Sequence, residues 1–137
     1  VVLVAASGND STSQPSFPAA YPEVISVGAV DPDLSYALYS NYGDYVDVVA
    51  PGTNIASTFT GHRYAALSGT SMAAPHVTAL AALIRSVNPR LTNDEVRNII
   101  IQSADDLGDR GKDPHYGYGL INVYRALELA KSAAASS

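Results

Sequence analysis

The sequence contains no cysteine, no basic cluster and no apolar run long enough to cross a lipid bilayer. Without cysteine there is neither a disulfide bond nor a thiolate metal site. The 8 lysines and arginines are dispersed and cannot neutralise a row of phosphates, so no nucleic-acid partner is expected. The most apolar stretch, residues 72–84, falls short of the roughly 20 residues of a membrane helix. No membrane partner is expected either.

The chain does contain enough apolar sequence for a folded core. It has 137 residues, 47% of them hydrophobic and 15% charged, which is typical of one globular domain. Short apolar runs bounded by Pro and Gly predict buried strands at residues 1–6, 24–30 and 46–50. Residues 55–58 and 63–67 predict a hairpin around Thr60-Gly61.

Helices dominate the second half of the sequence. Residues 72–87 are apolar on nearly every side, which predicts a helix at the centre of the fold. Thr92 and Glu95 form a capping-box pattern for a helix to about Ser103, and Asn122 is a cap for a last helix through Lys131. Strands in the first half of the chain followed by helices in the second half indicate an α/β fold. The Ala/Ser-rich residues 131–137 are expected to form a frayed tail.

Ser71 stands at the predicted start of the first helix. A serine there is held at a sharp turn, and free backbone N–H groups nearby can stabilise a developing anion. That placement suits a nucleophile. A serine at this position also suits a simple helix cap, and the Gly-Thr-Ser triplet alone does not decide between the two.

The surrounding residues resemble the subtilisin family of serine proteases, peptidase family S8. Residues 69–77, GTSMAAPHV, resemble the family's nucleophile signature, and residues 5–9, AASGN, resemble its oxyanion loop. Further matching stretches follow in the family's order: YP at 21–22, VISVGAV at 24–30, VAPG at 49–52 and YGLIN at 118–122. The resemblance covers residues 1–130 and implies the C-terminal half of a three-layer, parallel-sheet catalytic domain.

The resemblance implies a hydrolase that cleaves polypeptide substrates through an acyl-enzyme and needs no cofactor for catalysis. Ser71 would be the nucleophile, and the side chain of Asn9 would donate to the oxyanion together with the backbone N–H of Ser71. The resemblance assigns substrate contacts to Ala6, Ser7, Gly8, Ser68 and Gly69. It also implies a structural Ca²⁺ or Na⁺ ion held by the carbonyls of Ala19, Tyr21 and Val24 and the carboxylate of Asp47.

The catalytic Asp and His of the family precede the serine, and neither motif is present here. His76 lies on the same helix as Ser71, about 140° around and about 7.5 Å along its axis, beyond the reach of a general base. His62 and His115 are expected at the surface. Because the sequence opens inside an apparent core strand, we expect the missing Asp and His on an N-terminal part, present as a separate chain or a missing segment. The chain alone would then be inactive, and the parent protease would be secreted, as the family implies.

Two alternatives remain open at this point. The chain could be a non-catalytic interaction fragment, or a degradation product, that pairs with an N-terminal half. It could also be a fragment of an α/β hydrolase, in which Asp113 and His115 would follow the nucleophile in the required order. The acidic residues 105–109 lack the ligand spacing of a calcium loop and are expected to form a solvated loop.

Overall fold

The computed structural model describes residues 1–135, built around a parallel sheet of three strands. The strands are β1 (Leu3–Ala6), β2 (Val24–Val30) and β3 (Val48–Pro51), in the spatial order β1-β2-β3. Ala6 pairs with Val27, and Val27 pairs in turn with Val48. All residues of β2 are buried, as expected for the middle strand of a sheet covered on its faces.

A separate antiparallel hairpin connects the sheet to the first helix. It consists of β4 (Ile55–Phe59) and β5 (Arg63–Leu67), with Phe59 paired to Arg63 across the turn. The turn residues Gly61 and His62 both have positive φ angles. The predicted hairpin is confirmed. β3 begins two residues later than predicted, since the amide of Val46 bonds to the carbonyl of Gly43 in the preceding turn and the paired register with β2 begins at Val48.

Three helices complete the fold: α1 (Thr70–Val87), α2 (Asn93–Ser103) and α3 (Val123–Ala135). The capping box at the start of α2 is confirmed, because Thr92 and Glu95 each accept a backbone hydrogen bond from the other. Helix α3 continues four residues past its predicted end at Lys131. The division between a domain to residue 130 and a tail stays a prediction, and the last residues of that tail, 136–137, lie outside the described part.

The core lies between α1 and the parallel sheet. Ala73, Val77, Leu80 and Ile84 form the buried stripe of α1 and pack with the side chains of β2 and β3. Helices α2 and α3 extend the same core through Val96, Ile100, Ala126 and Ala130. This arrangement confirms the predicted α/β fold. None of the helices in residues 1–135 is long and apolar enough to cross a membrane.

Two expectations about burial are wrong. Residues 1–6 were expected to be buried on both faces, but Val1 and Leu3 are 91% and 52% exposed because β1 is an edge strand of the described sheet. Helix α1 was expected to be surrounded, but its face with Pro75, Ala82 and Leu83 is exposed. No element within residues 1–135 covers that face. The sequence pattern of both segments is therefore more apolar than their environment here.

Candidate active site

Ser71 lies at the carboxyl edge of the parallel sheet, on the first turn of α1. The turn that leads into the helix is held by a hydrogen bond from the Gly69 amide to the carbonyl of Gly52, directly after β3 (2.8 Å). Gly69 has a φ of 155°, in a region that strains any residue with a Cβ. Ser71 itself is exposed, and its backbone N–H belongs to the first turn, where helical amides have no partner within the helix. The nucleophile candidate is thus presented to solvent beside free N–H groups.

The side chain of Asn9 is fixed against the same turn by Thr70. Its Oδ1 accepts hydrogen bonds from the backbone N–H (2.8 Å) and the hydroxyl (2.7 Å) of Thr70, which is fully buried. The Thr70 hydroxyl accepts in turn from the amide of Gly8 (3.2 Å). Because Oδ1 accepts both bonds, the amide group has one assignable orientation, with Nδ2 pointing away from Thr70. Within residues 1–135, Nδ2 of Asn9 makes no hydrogen bond and remains free to donate.

Two N–H donors lie close to each other beside Gly69. A Cβ added to Gly69 would lie 3.5 Å from Nδ2 of Asn9 and 3.8 Å from the backbone nitrogen of Ser71. The absence of a side chain at Gly69 therefore leaves room between the two donors. An oxygen that gains negative charge next to Ser71 could accept from both, which is the arrangement of an oxyanion hole. Sequence reasoning identified both donors but missed Thr70, whose hydroxyl orients one of them.

The loop that carries Asn9 is bound to Asn41 and Tyr45, neither of which sequence reasoning singled out. The carbonyl of Ser7 accepts from Nδ2 of Asn41 (3.1 Å) and from the hydroxyl of Tyr45 (3.0 Å). Burial raises the pKa of the Tyr45 hydroxyl above its ordinary value of 10.0. The hydroxyl thus remains a protonated donor into the alkaline range. Both residues follow Ser40 in a short polar loop that has no catalytic signature, which explains why the pattern did not reveal them.

A cavity of about 590 Å³ opens next to Ser71 on the side of β1. It is lined by Ala6 and its neighbours on β1, and by the exposed face of α1. Its walls are mainly small apolar side chains, including Ala74, Ala79 and Ala82. The space that borders the nucleophile candidate is therefore apolar. It adjoins β1 and the exposed face of α1, which are both less buried than expected.

The residues predicted to contact substrate have different positions around Ser71. Ala6 lines the cavity, whereas Ser7 is fully buried and its hydroxyl donates to the carbonyl of Asn41. Ser68 is exposed, and its hydroxyl accepts from the amide of Asn54 (3.0 Å). Gly8 and Gly69 adjoin Thr70 and Asn9 through the contacts given above. Their roles in substrate binding stay predictions.

None of the histidines is hydrogen-bonded to Ser71, and within residues 1–135 the Ser71 hydroxyl has no hydrogen-bond partner. Nδ1 of His76 lies 3.0 Å from the carbonyl oxygen of Met72, one turn earlier in α1. His62 occupies the hairpin turn. His115 was expected at the surface but is partly buried: its ring is stacked on Tyr36, with centroids 4.0 Å apart, and is tilted against Tyr42 at 4.6 Å. The general base required by a serine nucleophile is not supplied by the described residues.

The α/β-hydrolase alternative does not fit the structure. After Ser71 the described chain forms three helices and only isolated bridges, whereas that fold needs further strands to carry its acid and base. Asp113 accepts from the backbone amides of His115 and Tyr116, which fixes a local turn. The order Ser71, Asp113, His115 in sequence is therefore not matched by an arrangement in space.

The proposed cation position is already occupied by protein charges. One oxygen of Asp47 accepts from the amide of Ser26 (2.9 Å), and the other is 3.1 Å from the guanidinium of Arg97. Arg97 also donates to the carbonyl of Pro22, and Lys112 borders the same pocket. The Tyr21 carbonyl accepts from the amide of Val24 (3.0 Å). Residues 1–135 contain no cluster of three or more His, Cys, Asp or Glu that could hold a metal. This donor set fits an arginine better than a Ca²⁺ or Na⁺ ion, and the ion stays a prediction.

The fold and the site together define an α/β protein with a helix-borne serine and an amide donor beside it. The chain belongs to the subtilase family, whose profile matches residues 1–119. It is 52% identical over 126 residues to a thermophilic serine proteinase from Bacillus sp. (strain AK1), covering 92% of this chain and 30% of that protein.

Two further relatives support the same membership. Subtilisin BL from Lederbergia lenta is 45% identical, with 92% of this chain and 46% of that protein covered. The minor extracellular protease Epr from Bacillus subtilis (strain 168) is 44% identical, with 99% of this chain and 21% of that protein covered. The chain thus spans less than half of each of these relatives.

Proposed function

We propose that this chain provides the nucleophile and the oxyanion donors of a serine endopeptidase. The observation that carries the proposal is the pair of N–H donors, Nδ2 of Asn9 and the amide of Ser71, that lie 3.5 Å and 3.8 Å from the position a Cβ on Gly69 would take, next to the exposed residue Ser71. The hydroxyl would attack the carbonyl carbon of a peptide bond. The two donors would bind the carbonyl oxygen as it becomes an oxyanion, and collapse of that intermediate would expel the amine and leave an acyl-enzyme.

The catalytic His and Asp would come from an N-terminal part of the same protease. The apolar cavity beside Ser71, with β1 on one wall and α1 on the other, supports this proposal. An exposed apolar surface at the edge of a sheet is a site of association, and this one adjoins the nucleophile. A segment packed there would cover the exposed face of α1 and could place an imidazole within hydrogen-bond reach of the Ser71 hydroxyl.

The substrate would be a polypeptide bound near Ala6, Ser7, Gly8, Ser68 and Gly69. Ser7 would take part through its backbone, because its side chain is buried. We further propose that the parent protease is secreted, in line with the relative named as an extracellular protease. No cofactor is needed for the proposed chemistry.

Peptide hydrolysis by the complete protease tests the proposal. The wild type should cleave a chromogenic peptide, and a Ser71→Ala variant should lose roughly 10⁶-fold in kcat, keeping only the slow hydrolysis that the oxyanion donors and substrate binding sustain. Ser132→Ala, on the exposed face of α3 far along the chain, is a suitable control and should retain full activity. A Ser71→Ala variant whose kcat stays within about tenfold of the wild type would contradict the assignment of the nucleophile.

The 137-residue chain alone tests whether the catalytic His and Asp come from a separate N-terminal part. It should not react with a fluorophosphonate probe, since only an assembled triad makes the serine nucleophilic. Addition of the N-terminal part should restore labelling. An unlabelled chain in the presence of that part would favour a non-catalytic interaction fragment, while labelling of the chain alone would refute the need for an N-terminal His.

A further inference from the structure

Asn41 contacts the oxyanion loop more extensively than its position, 32 residues after Asn9, would suggest. It is 1% exposed, and its hydrogen bonds to that loop involve both its backbone and its side chain. The Asn41 amide donates to the carbonyl of Gly8 (2.9 Å), and its Oδ1 accepts from the amide of Asp10 (2.8 Å). Those two groups belong to the peptide units on either side of Asn9. One buried residue therefore fixes both peptide planes that flank the oxyanion donor.

Asn41 also binds Ser7 and Thr12, which lie on either side of Asn9 in the chain. Oδ1 also accepts from the amide of Thr12 (3.3 Å), while Nδ2 donates to the carbonyl of Ser7 (3.1 Å). Its backbone carbonyl accepts from the Ser7 hydroxyl (3.3 Å). The two sides of the carboxamide thus bind groups of opposite polarity, so a reversed amide would lose all three of its hydrogen bonds.

Asn41 is itself anchored to the central strand. The hydroxyl of Ser40 donates to the carbonyl of Asn41 (3.2 Å) and accepts from the amide of Ala29 in β2 (3.1 Å). The close fit extends to Gly8, where a Cβ would lie 2.2 Å from Nδ2 of Asn41, and where φ is 115°. Ser40 and Asn41 therefore fix the position of the loop relative to the sheet. At Gly8 the loop packs its backbone directly against Asn41, because a side chain there would clash.

We propose that Asn41 is a positioning residue for catalysis, which sets the location of Nδ2 of Asn9 relative to Ser71. Thr70 fixes the end of the Asn9 side chain, and Asn41 fixes the backbone from which that side chain projects. An error of about 1 Å in the place of a catalytic group can cost about 10²-fold in rate. Asn41 never touches the substrate in this account, and its effect passes through Asn9. The inference rests on the proposed function.

The test is a double-mutant cycle in the complete protease, measured as kcat and KM for a peptide substrate. Asn41→Ala and Asn41→Asp are each made in the wild type and in Asn9→Ala. Asn41→Asp keeps the size of the side chain and its acceptor oxygen but replaces the donor to the Ser7 carbonyl by a second oxygen. A folded Asn41→Asp whose carboxyl is ionised therefore reports on positioning alongside Asn41→Ala. Asn88→Ala is the matched control, since Asn88 is also buried and also accepts from a backbone amide (3.2 Å), at the far end of α1.

We expect each Asn41 variant to lower kcat roughly 10- to 100-fold with KM changed less than about threefold, because the oxyanion forms only on the way to the transition state. In the Asn9→Ala background the same changes should cost less than about threefold. Asn88→Ala should leave kcat per folded molecule unchanged.

Equal losses of kcat in both backgrounds would overturn the proposal, since Asn41 would then act on stability or on another group. An unchanged kcat in a folded Asn41→Ala would overturn it as well. A wild-type protease that fails to hydrolyse peptides would refute the proposed function itself, which is a different result from an active enzyme whose Asn41 and Asn9 are uncoupled.

Discussion

At the scale of single residues, the site depends on hydrogen bonds that fix where donors point. Asn9 is exposed, but its amide has one orientation because Thr70 donates twice to Oδ1. The free Nδ2 is the consequence of those two bonds. A neutral amide also suits the role, since it donates without titrating. The proposed chemistry would therefore depend as much on Thr70 and Asn41 as on the two residues that would meet the substrate.

Asn9→Ala should lower kcat of the complete protease by roughly 10²–10³, a magnitude adopted from the corresponding donor of subtilisin rather than calculated for this chain. KM should change little, because the donor acts on the oxyanion. Steady-state kinetics on a peptide substrate measures both. A rise in KM with kcat unchanged would show that Asn9 binds the ground state instead.

Thr70→Val should lower kcat about tenfold, because it removes the hydroxyl that donates to Oδ1 of Asn9 while keeping the shape of the buried side chain. Thr70→Ser retains the hydroxyl and should recover most of the rate. The comparison separates orientation of Asn9 from packing. A loss of kcat in Thr70→Ser with none in Thr70→Val would indicate that the methyl contacts matter and the hydrogen bond does not.

The raised pKa of Tyr45 predicts that the free energy of unfolding declines at alkaline pH. Its folded-state pKa is raised above 10.0 by burial, so above about pH 10 the unfolded chain releases the phenolic proton before the folded protein does. The folded state then binds more protons than the unfolded state, and the free energy of unfolding falls as pH rises. Tyr45→Phe should flatten this decline between pH 9 and 11 in urea unfolding. An identical pH dependence in both proteins would contradict the assignment.

At the scale of elements, Arg97 joins helix α2 to the sheet. Its guanidinium contacts the Asp47 carboxylate, just before β3, and the carbonyl of Pro22, just before β2. The Asp47 side chain is 7% exposed and that of Arg97 26%, so the pair is partly shielded from solvent. A protein cation thereby balances the carboxylate that the resemblance assigned to a metal ion.

Arg97→Ala should reduce the free energy of unfolding by about 2 kcal/mol, because it leaves a buried carboxylate with one hydrogen bond fewer. The variant should also gain stability from added Ca²⁺ relative to the wild type, since the carboxylate oxygen becomes available. Thermal unfolding with and without millimolar Ca²⁺ measures both effects. A Ca²⁺ or Na⁺ stabilisation of the wild type that Asp47→Asn abolishes would instead establish the metal site.

At the scale of the whole molecule, the sequence predicts the order and type of elements well, because each has a local signature. The apolar run of β2, the capping box of α2 and the turn before Ser71 all depend on neighbouring residues in the chain. Burial of β1 and α1 was predicted less well, because both have the apolar character of covered segments while their outer faces are exposed in residues 1–135. Local pattern reports how apolar a segment is and not what covers it.

In the site, too, residues within contiguous motifs could be predicted from the sequence, whereas residues linked by long-range hydrogen bonds could not. Ser71 and Asn9 were predicted as site residues from contiguous motifs, and the position of Ser71 at the start of a helix could be predicted from its neighbours in sequence. Asn41 could not, because its importance arises from hydrogen bonds to residues 29 to 34 positions away, and its own surroundings predict only a turn. Arg97 likewise has no signal in sequence for its pairing with Asp47, 50 positions earlier.

The site of fluorophosphonate attachment in the complete protease is the most direct test of the account. Digestion and tandem mass spectrometry should locate a single probe group on Ser71, with the labelling rate reduced in Asn9→Ala. A probe group on another serine, or an unlabelled protein that still hydrolyses peptides, would contradict the claim that Ser71 is the nucleophile beside the Asn9 donor.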